Sequence, residues 1–206
     1  MQKSTIISFI FFLFFVNQLL SQEKTTPAES RKKNLKELLD YRYIGGFHSF
    51  ERLFYKTVEY PEIAKKNCVI GISIVRFEVD CKGEIKNLII KNPLGWGIDQ
   101  QIQLFLQESI GNWNICSDDK YTRFEVPIQF IINETETNST DAMMIYQVDL
   151  VGYKCKGDSF YREKLDLALE KNSDKKAYRY LKELIKRDPY NTELTSLRKE
   201  ILDRKK

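Results

Sequence analysis

The sequence predicts an α+β fold: a small antiparallel three-stranded sheet with helices on one face, followed by an α-helical tail. Three observations carry that expectation. Phe124, Val126, Ile128, Phe130 and Ile132 alternate strictly, the period of a half-buried strand. Val75, Phe77 and Val79, with Ser73 ahead of them on the same face, repeat the period and run into the turn residues Asp80, Cys81, Lys82 and Gly83. Ile98, Ile102, Phe105, Leu106 and Ile110 recur at helical spacing between them. If the last strand pairs with the first, all three strands run antiparallel and the helices cover one face.

From the N-terminus, residues 1–21 read as a signal peptide. One cation, Lys3, precedes an apolar run over residues 6–20 that includes Phe9, Phe11, Phe12, Phe14 and Phe15, and polar Ser21 and Gln22 follow. The run is shorter than the roughly 20 apolar residues of a membrane span. Cleavage after Ser21 would release an exported protein, and retention would leave an N-terminal anchor. Residues 22–43 form a polar lead-in with a short helix from Asn34.

Residues 44–132 hold the densest structural signal. Phe47, Phe50, Leu53 and Phe54 follow Gly45 and Gly46 at helical spacing. Tyr60-Pro61 opens a second, short helix, since the first-turn nitrogen has no intrahelical acceptor to lose. Gly83 supplies the positive dihedral of a tight hairpin. Ile85, Leu88 and Ile90 continue the sheet, their uneven spacing predicting a bulge. The next helix leads to Trp113, read as a core residue.

Residues 133–158 are a polar linker, NETETNSTD, and an additional strand within MMIYQVDLVGYKC; the sequons at Asn133 and Asn138 mark a surface loop. Residues 159–206 are helical. From position 156 onward 15 Lys and Arg face 10 Asp and Glu, within a chain of net charge +4. That basic tail leaves contact with an acidic membrane surface open. The interleaved aromatic and basic pattern of a nucleic-acid module is missing, so no nucleic acid is expected.

The four cysteines, Cys68, Cys81, Cys116 and Cys155, are expected in disulfides once outside the cytosol. Cys68 and Cys81 lie near opposite ends of one extended strand, too far apart to bond each other. Antiparallel pairing of residues 72–80 with 123–132 brings Cys116 toward Cys81. By elimination Cys68 pairs with Cys155 and fastens the segment after the linker to the sheet.

No enzyme, cofactor or metal is expected. His48, the single histidine, reads as a packing or surface residue, and without it no Ser-His-Asp or Cys-His set assembles. No glycine-rich phosphate loop occurs. Asp80 and the Asp118-Asp119 pair read as solvated turn carboxylates.

Taken together, Tyr60-Pro61, Ala64, Gly71, the 77–79 strand, Gly83, Trp113 and the Pro127-Ile128-x-Phe130 ending, in this order and at these spacings, resemble the C-terminal domain of TonB. The phenylalanine-rich leader ending in Ser-Gln, and the Gly-Gly before the first long helix, resemble Bacteroidetes-type versions of it. The resemblance implies a periplasmic protein, or one anchored in the inner membrane and facing the periplasm. It would engage an outer-membrane TonB-dependent transporter or another envelope protein by adding a strand to a sheet edge. The strand matching the family's binding edge is 123–132, whose outward positions are Arg123, Glu125, Pro127, Gln129 and Ile131. A lead-in with a single proline, Pro27, spans at most about 85 Å when fully extended, short for an energy transducer. The alternative is therefore an envelope scaffold whose sheet edge is blocked by residues 143–154 and whose helical tail binds partners, with no transduction.

The tail stretch LDLALEKNSDKKAYRYLKELIKRDPYN resembles one tetratricopeptide repeat, with Tyr161, Ala168, Ala177, Leu181, Leu184 and Pro189 at matching positions. A further helix from Thr192 carries Leu194, Leu197 and Ile201. One repeat cannot bury its own apolar stripe. The stripe must pack on the sheet domain, on a second copy in a homodimer, or on a partner.

Overall fold

The computed structural model describes residues 25–115, 122–139, 141–152 and 154–204. The chain divides into two compact units, residues 1–31 and 32–206. In the first, Thr26 starts helix α1 (Pro27–Arg42) with a capping box: its hydroxyl accepts from the Glu29 N–H at 3.2 Å, and the Glu29 carboxylate accepts from the Thr26 N–H at 2.7 Å.

In the second unit α1 continues to Arg42, followed by α2 (Gly46–Thr57), α3 (Glu62–Lys66), β1 (Gly71–Val79), β2 (Ile85–Ile90), α4 (Ile98–Glu108), β3 (Thr122–Ile132), β4 (Met144–Val148), α5 (Asp158–Glu170), α6 (Asp174–Arg187) and α7 (Thr192–Asp203). The α+β class agrees with the sequence. The lead-in does not, for it is helical from Pro27 rather than from Asn34. Leu35, Leu39 and Tyr43, four apart on one face, are buried against the sheet domain.

The sheet has four strands in the order β2-β1-β3-β4, correcting the three-stranded expectation. β1 pairs antiparallel with β2 and with β3, but β4 lies parallel to β3. A bulge falls at Asn87 and Leu88, because Arg76 faces Ile89 while Glu78 faces Lys86. Gly83, at φ 80°, closes the hairpin, and the Asp80 carboxylate accepts from the Lys82 N–H at 2.9 Å and the Glu84 N–H at 3.0 Å.

One sheet face carries an aromatic core. Phe77 and Phe124, opposite each other in the register, stack at 5.2 Å, and Trp113 packs on both. Phe50 meets Phe105 edge-on at 4.8 Å, tying α2 to α4. The second face, opposite the helices, is covered along the first half of β1. The linker lies across it, so that Ala142 joins Ile72 and Ile74 in a small cluster with Tyr190 packed alongside. Alternation fails here for that reason: residues 71–75 of β1 are buried on both faces.

The tail helices enclose a second, aliphatic core of Leu165, Ala168, Ala177, Leu181, Leu184, Ile185, Leu194 and Ile201. They also dock on the sheet. The Lys186 carbonyl closes on Gly71, where an added Cβ would sit 2.5 Å from that oxygen. The Asn92 amide donates to both Ile72 O, at 2.6 Å, and Lys186 O, at 3.1 Å.

Candidate partner-binding site

The candidate site is the β3 edge. Ile128 through Ile132 pair with Met144 through Val148 residue for residue, and the Met143 N–H donates to Pro127 O at 2.8 Å. Met144, Tyr146 and Val148 extend the apolar face, with Tyr146 stacked on Phe130 at 6.0 Å. The Tyr55 hydroxyl donates to Ile145 O at 3.0 Å. An incoming strand would need backbone groups that β4 already uses. This corrects the expected binding edge over residues 128–132.

The five outward positions divide into two kinds. Pro127 and Gln129 are buried, the Gln129 amide donating to Ser139 O of the linker at 2.9 Å, and Ile131 is half-buried. Arg123 and Glu125 belong to a charged ladder on the uncovered half of the face. Arg123 donates to Glu78 at 2.8 Å, while Arg76 and Lys91 converge on Glu125 at 2.9 and 2.6 Å. Burial alone would raise the Glu125 carboxyl, but the hydrogen bonds from Lys91 and Arg76 outweigh it and hold it below its usual range. The hydrogen bond from Arg123, then that from Asn87, lowers Glu78. Each carboxylate is thus matched by an arginine of the neighbouring strand, with Lys91 reaching Glu125 from just past β2, which is pairing within the sheet rather than a surface left for a ligand.

Cys68 and Cys155 form a disulfide with Cα atoms 5.6 Å apart, as elimination predicted. Cys81 is also disulfide-bonded, while its expected partner Cys116 lies outside the described residues. The Asp118-Asp119 pair and the N-terminal leader lie outside them too. His48 is exposed, 3.8 Å from Glu51. Asp80 is lowered to about 2, chiefly by a hydrogen bond from Lys86 at 2.6 Å. Among the described residues no group of three or more His, Cys, Asp or Glu could hold a metal ion, and no helix is long and apolar enough to cross a membrane.

Two functional-looking residues escaped the sequence reading. Arg187, one of many tail cations, is buried against Asp158 at 2.8 Å, and its second nitrogen donates to Lys156 O at 2.8 Å. Asp158 in turn accepts the Asn138 N–H at 2.8 Å, so one ion pair joins linker, α5 and α6. Beside it burial pushes the Tyr60 phenol well above its usual range, against the opposing charge of Arg187. Arg42 is likewise buried, donating to Thr122 Oγ1 at 2.5 Å, Asp80 O at 2.9 Å and Asn114 O at 3.3 Å. Neither carried a sequence signal, since a single Arg among other charges has no periodicity.

Compared with known proteins, the chain matches no family model, no curated protein and no solved structure.

Proposed function

We propose that this chain is a partner-binding scaffold of the bacterial cell envelope, related to the C-terminal domain of TonB, that makes its contacts through the helical tail rather than by accepting a strand. The observation that carries the reading is β4 seated along Ile128 to Ile132, where the resemblance would place the partner's strand. The antiparallel β2-β1-β3 order and its register fit the sheet that the resemblance implies. The tail supplies an alternative surface, held rigidly by the Cys68–Cys155 bridge and the Arg187–Asp158 pair, with Leu167 and Leu202 exposed on its helices.

Photo-crosslinking in cells tests this. A benzophenone residue at Leu167 or Leu202 should give discrete adducts with envelope proteins, and one at Ile131 should give none. Adducts from Ile131 alone would restore strand addition at β3.

A further inference from the structure

A cleft of about 360 Å³ opens between the start of β1 and the tail, within the range of volumes that hold small ligands or the side chains of a peptide. Trp96, Tyr161 and Tyr180 give it aromatic walls, Arg179 and Lys186 give it charge, and the disulfide-bonded Cys68 is part of its lining.

Trp96 stands out by conformation. It sits between Gly95 and Gly97 in three successive left-handed residues, at φ 77°, 56° and 89°. Glycine adopts that region freely, but a bulky side chain there is an outlier that persists only when its surroundings impose it. The surroundings do so: the Asp99 carboxylate accepts from the Leu94 N–H at 3.0 Å and the Gly95 N–H at 2.9 Å, locking the loop ahead of α4. The indole gains no full burial in return, for it is 50% exposed. The strain places an aromatic ring at the rim of the cleft instead of in the core.

The charge of the cleft sets the ligand's sign. Among the described residues its lining has two cations and one carboxylate, and that carboxylate, Glu183, lies 3.2 Å from Lys186. Arg179 is held by a neutral group: its guanidinium lies 5.0 Å over the Tyr180 ring and donates to the Tyr180 hydroxyl at 3.0 Å. That bond uses one of five donors and leaves the fork suited to a carboxylate. The walls are fixed in advance, on one side by the disulfide at Cys68 and on the other by Asn92 holding Lys186 O, so little ordering accompanies binding.

We infer that this cleft binds an acidic segment of a partner protein, one that sets an aromatic side chain against Trp96 and a neighbouring carboxylate against Arg179. The inference rests on the reading of the chain as a partner-binding scaffold. It adds to the exposed tail helices a docking point at the junction between tail and sheet.

Intrinsic fluorescence tests it, because the chain has two tryptophans and Trp113 is buried. The probes are the blocked, tryptophan-free peptides Gly-Glu-Phe-Glu-Gly and Gly-Lys-Phe-Lys-Gly, added to the oxidised, full-length protein. The acidic peptide should protect Trp96 from acrylamide quenching saturably, and the basic peptide should not. Arg179→Gln, on an exposed helical surface, should weaken the acidic peptide about tenfold. Trp96→Gly should raise the melting temperature and, with binding read by titration calorimetry, lose the acidic peptide, as expected of a strained residue kept for binding. The inference is overturned if millimolar acidic peptide gives no protection, if the basic peptide protects equally, or if Arg179→Gln binds as the parent does. Tail crosslinks that persist without peptide protection would overturn the cleft alone. Their absence would instead remove the scaffold reading beneath it.

Discussion

The sheet domain and the tail bury their cores by different means. Around the sheet the core is built of rings: Tyr43, Phe50, Phe54, Phe77, Phe105, Trp113 and Phe124 interlock from two helices, two strands and the loops between them. The tail core is aliphatic, drawn from three consecutive helices, with Leu165, Leu181, Leu184 and Ile201 at its centre. Rings from distant parts of the chain make the first core non-local and self-sufficient. The second is local and small; it leans on the sheet through Gly71, Asn92 and one disulfide, and one buried ion pair ties its first two helices to the linker. A single repeat-like unit finishes its burial by docking where a longer array would use a further repeat.

Breaking the joint should have the largest effect. Arg187→Ala leaves Asp158 buried without its cation, and denaturant unfolding should register a loss of about 3–5 kcal/mol. Replacing both members with leucine should recover most of it; a double variant as weak as the single would mean that the pair contributes more than its own desolvation cost.

The two cores can then be set against each other. Phe105→Ala should cost about 3–5 kcal/mol and lower the whole unfolding transition, because its ring touches both Phe50 and Phe54. Leu181→Ala should cost about 2–5 kcal/mol, with amide exchange rising in α5 to α7 before it rises in β1 and β3. Equal exchange in both regions would make the tail an inseparable part of one cooperative unit.

Next comes the bridge. The Cys68→Ser, Cys155→Ser pair opens a loop of 87 residues in sequence separation and should cost about 2–4 kcal/mol, with the loss again concentrated in the tail. Non-reducing peptide mapping of the parent protein should recover this linkage.

The smallest effect sharpens the comparison at the hairpin, far from the tail. Asp80 is lowered to about 2 from 3.8, so its contribution is complete above pH 4 and is lost as pH falls toward 2. Asp80→Asn should flatten that limb of the stability curve in an acid titration and leave the tail's exchange unchanged.

The sequence was most legible where side chains alternate against a single core. Ile128 and Phe130 read correctly as buried, and the uneven Ile85, Leu88, Ile90 spacing marked the bulge that the register shift contains. It was least legible at Pro127 and Gln129, which periodicity assigns to solvent. Their burial depends on Ser139 and Ala142 crossing the second face, and a polar linker gives no sign of where it will lie. Met144 to Val148 announced a strand but not its partner or direction. The connection of residues 133–143 reverses the chain over the sheet instead of turning it back as a hairpin, so β4 enters parallel and fills the edge.

The sequence by itself determined the α+β class, the strands and helices of residues 44–132, the hairpin, the three tail helices and the Cys68–Cys155 bridge, because each follows from local period, turn chemistry or counting. Only the tertiary structure decided that the β3 edge is closed over residues 128–132, that Arg187 and Arg42 are buried, and that Trp96 lines a cleft with Arg179 and Lys186. Those features depend on segments far apart in the chain meeting in space, and a linear pattern of residue types carries no term for that encounter.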